Sequence, residues 1–494
     1  MTHPLRVPLE GFCLGKKTMS NVLNSFNDDT ICAIATAMSD AGIGIIRVSG
    51  SKALSICDKI YLSPKKKHDL LSHEPNSIKF GYICDGSDSE KIIDEVMISY
   101  MKGPHSYTRE DVIEINSHGG MLVMNEILSL LLKNGCRLAE PGEFTKRAFL
   151  SGRIDLTKAE AVMDIISAQN NFALESSRNQ LQGNISDKVK DLRKDILYQM
   201  AFIESALDDP ENYDLTGFPE KLRGIILPMI TSIEQLLKAA DEGKIRKDGI
   251  KTVIIGKPNA GKSSLLNALS GNERAIVTDI AGTTRDTIEE TVRLDDIILN
   301  LIDTAGIRST EDLIEKIGVD KAKEKVAEAD LCLYILDSTS LIDGEDKEIA
   351  RLCADKKTIV ILNKNDLSGE IKITKDILPM LFSDIDVDTL PVISTSLLNG
   401  EGVDALKRAI TELFFNGEIA PKQEIYITNL RHKDLLMKTL DSLKLVIDSI
   451  DKELSEDFYT VDLTNAYTYL GEIIGVEVGD DLVEEIFSKF CMGK

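Results

Sequence analysis

The sequence is poor in cysteine and contains no long apolar run. Its eight cysteines include no CxxC pair and are far too sparse for a disulfide-stabilised scaffold, which favours a reducing cytoplasm. No uncharged apolar stretch approaches the roughly 18 residues that span a bilayer, and the N-terminus lacks the apolar core of a secretory signal. We therefore expect a cytoplasmic protein that makes no contact with a membrane.

Positive charge is also scarce. The 58 lysines and arginines face 81 aspartates and glutamates, and the resulting net charge of −23 opposes non-specific attachment to nucleic acid or anionic membrane. Any RNA partner is therefore expected to be bound locally or through another protein. The sequence does contain 43% hydrophobic and 28% charged residues, which is typical of a folded protein. Its length suggests about three domains.

Changes of composition along the chain predict the first boundaries. Residues 1–27 have little apolar periodicity and are interpreted as a disordered extension. An upstream start codon, with Met19 as a second start, explains it better than an organellar targeting segment does. Residues 28–150 alternate short β-rich runs with a helical stretch at Met121–Lys133, which indicates a small α+β domain.

Two distant segments have helical periodicity. Asp155–Asp209 contains no proline and is predicted to form one long amphipathic helix with apolar residues at spacings of three and four. A similar stripe recurs near the C-terminus, so residues 151–248 and 417–494 are expected to form one discontinuous helical bundle. The residues of the two stripes are Leu192, Ile196, Met200, Ile203 and Leu207, and Leu436, Leu440, Leu443, Ile447, Ile450 and Leu454.

Residues 249–416, between these segments, alternate short apolar strands with helix-like stretches, which predicts an inserted α/β domain with a mostly parallel sheet. The strand Val253–Ile255 runs into Gly256–Ser263, which matches GxxxxGK[ST] at every fixed position. Backbone N–H groups of such a loop surround phosphates, Lys262 neutralises them, and the Ser263 hydroxyl can bind Mg²⁺. The segment therefore predicts a P-loop, as in Ras-like G domains.

Two further elements agree with a nucleotide site. The strand Ile297–Ile302 ends in Asp303-Thr304-Ala305-Gly306, a DxxG element that can hold the magnesium shell and sense the γ-phosphate. Residues 278–286 lie where a switch loop is expected, and Thr284 is the predicted second Mg²⁺ ligand. The strand Thr358–Leu362 ends in NKxD at Asn363–Asp366.

The NKxD element predicts a preference for guanine. A carboxylate at Asp366 accepts hydrogen bonds from the guanine N1–H and amine, whereas adenine would leave that buried carboxylate unpaired. The second guanine loop is degenerate, since residues 394–396 and 396–398 are both possible; the spacing to residues 400–402 favours the latter, and Ser396 is assigned to the loop. The predicted GTP-binding residues are Asn259, Ala260, Gly261, Lys262, Ser263, Ser264, Thr278, Thr283, Thr284, Asp303, Thr304, Ala305, Gly306, Asn363, Lys364, Asp366 and Ser396.

The chain ends in Cys491-Met492-Gly493-Lys494, and a G domain inserted into a helical domain with this ending resembles the MnmE (TrmE) family of tRNA modification GTPases. The resemblance covers residues 28–494. Its most specific motifs are PNAGKSSLLNAL at 258–269, IVTDIAGTTRD at 276–286, PGEF at 141–144 and HGG at 118–120. A glycine-rich PGRGG stretch usual in the family is replaced here by residues 38–42, so the shape of that loop is not carried over from the family.

The resemblance implies roles for particular residues. The N-terminal domain would bind folate and dimerise the protein, with folate contacts at Arg47, Glu114, Arg153 and Lys494. Asn259, the carbonyls of Thr278 and Ile280, and Thr283 would bind K⁺ where other GTPases use an arginine finger. Glu315 would act with Lys262 in hydrolysis, and Cys491 is a candidate nucleophile or acid/base.

The resemblance also implies a reaction. A K⁺-stimulated, Mg²⁺-dependent GTPase would work as a homodimer with an FAD-containing MnmG-like flavoprotein, in a heterotetramer or larger complex that also binds the tRNA. The complex would add an aminomethyl or carboxymethylaminomethyl group at position 5 of the wobble uridine. The one-carbon unit would come from 5-formyl- or 5,10-methylene-tetrahydrofolate, and the nitrogen from glycine or ammonium. The alternatives are a ribosome-assembly or regulatory GTPase, and a folate-binding module with a vestigial switch.

Overall fold

The computed structural model describes residues 29–85, 88–213, 215–270, 290–302, 319–367, 378–382, 390–415, 426–491 and 493. The predicted extension at residues 1–27 lies outside these ranges. The chain divides into two compact units: Met1–Met163, Asn179–Ile230 and Leu435–Lys494 form the first, and Asp164–Arg178 with Thr231–Asp434 form the second. The predicted domain boundaries at 28–150, 151–248, 249–416 and 417–494 stay predictions.

The first unit contains a mostly antiparallel sheet of seven described strands in the order β3-β4-β5-β6-β2-β1-β7. Alternating residues of β6 are buried, because one face of this sheet packs on helices α1 and α2. The elements are β1 Ile31–Ile34, β2 Ala41–Ser49, α1 Ala53–Ile60, β3 Tyr61–Leu62, β4 Ser77–Asp85, β5 Asp88–Met101, β6 Val112–Gly119, α2 Met121–Lys133 and β7 Arg137–Leu138. The predicted α+β fold is confirmed.

The prediction of one long helix over Asp155–Asp209 is wrong, since the structure has three helices there. The first break is capped by Asn170, whose Oδ1 accepts a hydrogen bond from the Ala173 N–H at 2.7 Å. The second is at Gly183, whose φ of +107° is incompatible with a right-handed helix. The helices in this part of the chain are α3 Glu143–Leu150, α4 Leu156–Ser167, α5 Asn171–Gln182, α6 Asn184–Asp208 and α7 Phe218–Asp248.

The apolar stripe of α6 is buried at Leu192, Ile196, Met200 and Ile203 and ends at the exposed Leu207. Helix α6 packs against the C-terminal helix α14, so two segments distant in sequence meet in the first unit. The C-terminal helices are α13 Leu430–Asp451, α14 Glu456–Ile474 and α15 Asp480–Ser488. None of the helices in the described ranges is long and apolar enough to cross a membrane.

The second unit contains a sheet of six described strands in the order β13-β12-β11-β8-β10-β9, parallel except for the β9–β10 pair. The central strand β11 is almost wholly buried because helices cover both faces. This confirms the predicted α/β domain. Its elements are β8 Ile250–Ile255, α8 Lys262–Ser270, β9 Glu290–Leu294, β10 Ile297–Leu301, α9 Val319–Glu328, β11 Leu331–Asp337, α10 Gly344–Leu352, β12 Lys357–Asn363, α11 Leu378–Leu381, β13 Val392–Ser394 and α12 Val403–Phe415.

Candidate functional site

The predicted phosphate loop connects the carboxyl end of β8 to the N-terminus of α8. Gly261 has a φ of +110°, and a Cβ at this position would collide with the Asn363 amide, so the loop backbone requires glycine here. The Lys262 ammonium donates to the carbonyl oxygens of Gly256 and Lys257, both at 2.8 Å. The cation is therefore held against the loop that would surround the phosphates.

Asn363, at the end of β12, joins the predicted phosphate and guanine loops. Its buried amide Nδ2 donates to the Ala260 carbonyl at 2.9 Å, and its Oδ1 accepts from the Leu397 N–H and the Thr395 hydroxyl, both at 3.3 Å. The residue thus fixes the spacing between two loops that a nucleotide would have to span. The first residue of NKxD therefore has a clear structural role.

The next residues of NKxD face a different environment. Lys364 donates to Asp337 at the end of β11, with Nζ 2.6 Å from Oδ2. Burial alone would raise the pKa of the Asp337 carboxyl, but the Lys364 and Thr339 hydrogen bonds outweigh it and hold the pKa below its ordinary value. Asp366 is exposed, which corrects the expectation of a buried carboxylate: only a bound base would desolvate it.

The second guanine loop is closed by a bridge between Ser396 and Glu401, whose backbones exchange two hydrogen bonds of 3.2 and 3.0 Å. The buried Ser396 hydroxyl lacks a hydrogen-bond partner among the described residues. This loop and α8 line a cleft of about 840 Å³, within the size range of small-molecule sites. Its described lining is Ser264, Asn267, Ala268 and residues 397–404.

Several predicted site residues fall outside the described part of the chain. These are the K⁺ and switch residues, the DxxG element, the proposed catalytic glutamate and the C-terminal lysine: Thr278, Ile280, Thr283, Thr284, Asp303, Thr304, Ala305, Gly306, Glu315 and Lys494. The remaining candidates for K⁺ and Mg²⁺, Asn259 and Ser263, are both exposed at the phosphate loop. Their metal-binding roles stay predictions.

Three of the four predicted folate residues, Arg47, Glu114 and Arg153, lie close together in the first unit. Arg47 and Glu114 are register partners on β2 and β6, and the Arg47 Nε and Nη2 donate to Glu114 Oε1 at 2.9 and 2.8 Å. Arg47 Nη1 donates to the Gly493 carbonyl at 3.2 Å. Tyr107 lies between the two arginines, with its ring centre 5.6 Å from the Arg47 guanidinium and 4.6 Å from that of Arg153.

A buried charge network lies beside this cluster. The Glu143 carboxylate, 1% exposed, accepts hydrogen bonds from Arg137, from Arg147 and from the Glu140 N–H. Arg147, 3% exposed, also pairs with Asp29 at 2.7 Å. Burial alone would raise the pKa of the Glu143 carboxyl, but the hydrogen bonds, led by that from Arg137, hold the pKa below its ordinary value. The network is ionised and paired.

Comparison with known proteins decides the family. The model described as GTP-binding protein TrmE N-terminus matches residues 30–153, and the MnmE helical domain model matches residues 156–491. The chain belongs to the MnmE family of tRNA modification GTPases. The prediction from the sequence that this protein is a tRNA modification GTPase is thereby confirmed.

Curated MnmE relatives match along their whole length. The tRNA modification GTPase MnmE of Lachnoclostridium phytofermentans is 51% identical, over 94% of this chain and 99% of the relative. That of Alkaliphilus metalliredigens is 46% identical, over 95% of this chain and 100% of the relative. Among solved structures, the G domain of the T. maritima FeoB iron transporter is 27% identical and covers 33% of this chain and 98% of its own, with a TM-score of 0.24.

Reasoning from the sequence missed several residues of this MnmE-family chain. Asp337 orients Lys364, and a signal for it existed, because an aspartate ends the buried strand β11, which pairs with β12. Tyr107, whose ring centre lies 5.6 Å from the Arg47 guanidinium, had no local signal, and the PGEF motif named Phe144 without indicating that its ring lies equally close to Arg47. Cys491 is an exposed free thiol, while the other six cysteines of the described ranges are buried.

Proposed function

We propose that this protein hydrolyses GTP with Mg²⁺ and K⁺ and couples hydrolysis to modification of the tRNA wobble uridine at position 5. The observation that carries the proposal is the connected nucleotide site, in which Asn363 ties the phosphate loop to the guanine loop in a chain of the MnmE family. The Lys262 ammonium and the backbone N–H groups of the loop supply positive potential for the phosphates. Asp366 would select guanine.

The metal ions would act at the exposed end of the phosphate loop. The Ser263 hydroxyl, on the first turn of α8, would bind Mg²⁺, together with Thr284. Asn259 and residues of the switch segment would hold K⁺, which supplies the positive charge that an arginine finger supplies elsewhere. GTP hydrolysis measured in KCl should be faster than in NaCl of equal ionic strength, and equal rates would remove K⁺ from the proposal.

The Arg47–Glu114 cluster would bind the tetrahydrofolate derivative, 5-formyl- or 5,10-methylene-tetrahydrofolate. The Arg47 donors already face Glu114 and Gly493, so Arg47 would orient Glu114 toward the pterin edge. Arg153 is exposed above Tyr107 and offers a guanidinium to the glutamate tail of the folate. When bound, the folate would supply the one-carbon unit, and the Cys491 thiol would act nearby as nucleophile or acid/base.

Surface chemistry and the family support the proposed partners. An apolar patch on β4 and β5, formed by Ile78, Phe80 and Met97, is 67%, 47% and 51% exposed, which supports a homodimer through the N-terminal domain. The net charge of −23 supports tRNA binding through an FAD-containing MnmG-like flavoprotein, in a heterotetramer or larger complex. We place this complex in the cytoplasm.

Nucleoside mass spectrometry of total tRNA from cells depleted of the protein tests this function. We expect loss of 5-substituted wobble uridine, restored by the wild-type protein and not by Cys491→Ser. Lys251→Ala, at an exposed lysine near the amino end of β8, serves as a control. An unchanged nucleoside profile after depletion would contradict the proposal and favour a ribosome-assembly GTPase, which sucrose-gradient profiles of ribosomal subunits would then examine.

A further inference from the structure

The PGEF motif at residues 141–144 has no part in the nucleotide site, yet it contacts the C-terminal residues directly. Gly142 has a φ of +67°, and a Cβ there would lie 2.7 Å from Phe490 Cβ and 2.8 Å from the Phe487 carbonyl oxygen. Its N–H donates to the Cys491 carbonyl at 3.3 Å. A side chain at position 142 would collide with Phe490 and Phe487, and the positive φ disfavours any residue with a Cβ. Glycine is therefore required where the C-terminal residues pass.

The other residues of the motif hold this turn in place. Glu143 anchors it through the buried pairs with Arg137 and Arg147, and its carboxylate also caps the Glu140 N–H at 2.8 Å. Phe144 is fully buried and its ring faces the Arg47 guanidinium. The turn that carries Gly142 is therefore rigid, and it is joined through Phe144 to the Arg47–Glu114 cluster.

The chain end is held from a second side as well. Arg47 donates to the Gly493 carbonyl, and a Cβ on Gly493, whose φ is +84°, would collide with the Ile34 carbonyl oxygen on β1. Phe487 and Phe490 are buried ahead of this point, whereas Cys491 is exposed. The backbone of Cys491 is thus fixed on both sides while its thiol faces solvent.

We propose that Gly142 is a positioning residue for Cys491. Together with the Arg47–Gly493 contact it forms a clamp, defined by Gly142, Arg47 and Ile34, that holds the C-terminal segment beside the Arg47–Glu114 cluster. The inference rests on the proposed function, in which the Cys491 thiol takes part in tRNA modification. A thiol on a free chain end would rarely reach a reacting group, whereas the clamp keeps the Cys491 thiol in one position. Misplacement of a catalytic group lowers the reaction rate by about a hundredfold.

Gly142→Ala in the full chain tests the clamp. With Cys13→Ser removing the one cysteine outside the described ranges, a maleimide fluorophore on Cys491 reports the mobility of the chain end through its anisotropy. We expect Gly142→Ala to lower the anisotropy, and the unlabelled variant to modify tRNA about tenfold to a hundredfold more slowly while hydrolysing GTP at the wild-type rate. Gly479→Ala is the matched control, since its added Cβ meets open space at a φ of −73°.

A second variant covers the case in which Gly142→Ala fails to fold. Gly493→Ala opens the clamp from the chain end and leaves the PGEF turn unchanged, and it should lower anisotropy and modification in the same way. Unchanged anisotropy in Gly493→Ala would overturn the clamp, and mobility gained with full modification retained would overturn the positioning role of Gly142. If the wild-type protein modifies no tRNA, the proposed function fails, and anisotropy alone then decides whether the clamp exists.

Discussion

The two candidate sites of this protein are built in opposite ways. The nucleotide site consists of short contiguous runs, at residues 256–263, 363–366 and 394–401, that lie at the carboxyl ends of strands β8, β12 and β13 of one mostly parallel sheet. The cluster in the first unit collects single residues from β2, β6, the Tyr107 loop, α3 and the chain end, and its Arg47–Gly493 hydrogen bond joins positions 446 residues apart. One site is encoded locally and the other by tertiary structure.

The two sites also differ in what holds them. Backbone groups dominate the nucleotide site: the Gly256, Lys257 and Ala260 carbonyls accept the hydrogen bonds that shape it. Paired side-chain charges dominate the other, where Glu143 and Arg147 are almost fully buried. A backbone loop tolerates many side-chain changes outside its fixed positions, whereas a buried ion network fails when one partner is removed. Mutations should therefore separate the sites.

The largest effect is expected from Lys262→Ala. Removing the ammonium that lies against the phosphate loop should slow GTP hydrolysis by about a hundredfold to a thousandfold. Without this preorganised positive charge, the negative charge that develops on the phosphates in the transition state is less stabilised. Phosphate release measures the rate, and Lys251→Ala controls for the loss of a lysine. Mobility of the labelled Cys491 should stay at the wild-type value; a parallel change there would contradict the independence of the two sites.

The next largest effect is expected from Glu143→Ala, which removes the buried carboxylate shared by Arg137 and Arg147, while Arg147 keeps the more exposed Asp29 and Glu110. The free energy of unfolding of the first unit should fall by about 3–5 kcal/mol in urea titrations at pH 7. Glu140→Ala, an exposed neighbour, is the control and should change it little.

The pH dependence of this stability gives a second measurement. The folded-state pKa of Glu143 is lowered, chiefly by Arg137 against the opposing effect of burial, so its contribution is present above the ordinary pKa of 4.5 and is lost as the pH falls through the folded-state value. Wild type should therefore lose stability more steeply in acid than Glu143→Ala. If stability changed equally steeply with pH in both proteins, the ionised Glu143 carboxylate would not stabilise the network.

The contrast between the sites explains how far the sequence could be interpreted. The strands β8, β10 and β12 were predictable because buried parallel strands appear as apolar runs, and the phosphate and guanine loops follow them directly. The clamp was not predictable from local pattern, because no periodicity connects Gly142 with Cys491 or Arg47 with Gly493. For Arg47, Glu114 and Arg153, only family resemblance indicated that they belong together.

Local rules failed at the helix breaks for a related reason. Apolar spacing continues across Gly183, so the periodicity alone predicts one helix, whereas the backbone conformation of one glycine ends it. Asp366 shows the same limit for burial: its place in NKxD was predictable, but its exposure depends on whether a base covers it. Periodicity reports which face is apolar and does not report where a chain turns.

The smallest effect, from Asp337→Asn, examines the contrast within the nucleotide site itself. The neutral amide should bind Lys364, whose Nζ lies 2.6 Å from the Asp337 carboxylate, more weakly than the carboxylate does. The affinity for GTP should fall by about fivefold, the equivalent of about 1 kcal/mol. Titration with a fluorescent GTP analogue measures the affinity, and Asp355→Asn, an exposed aspartate, is the control. Because Asp337 is expected to affect the nucleotide through Lys364 and not directly, its substitution should have a far milder effect than that of Lys262. A loss of GTP affinity of about a hundredfold, as large as the loss of hydrolysis rate expected for Lys262→Ala, would mean that the nucleotide site depends on paired side-chain charges as heavily as the Glu143 network does.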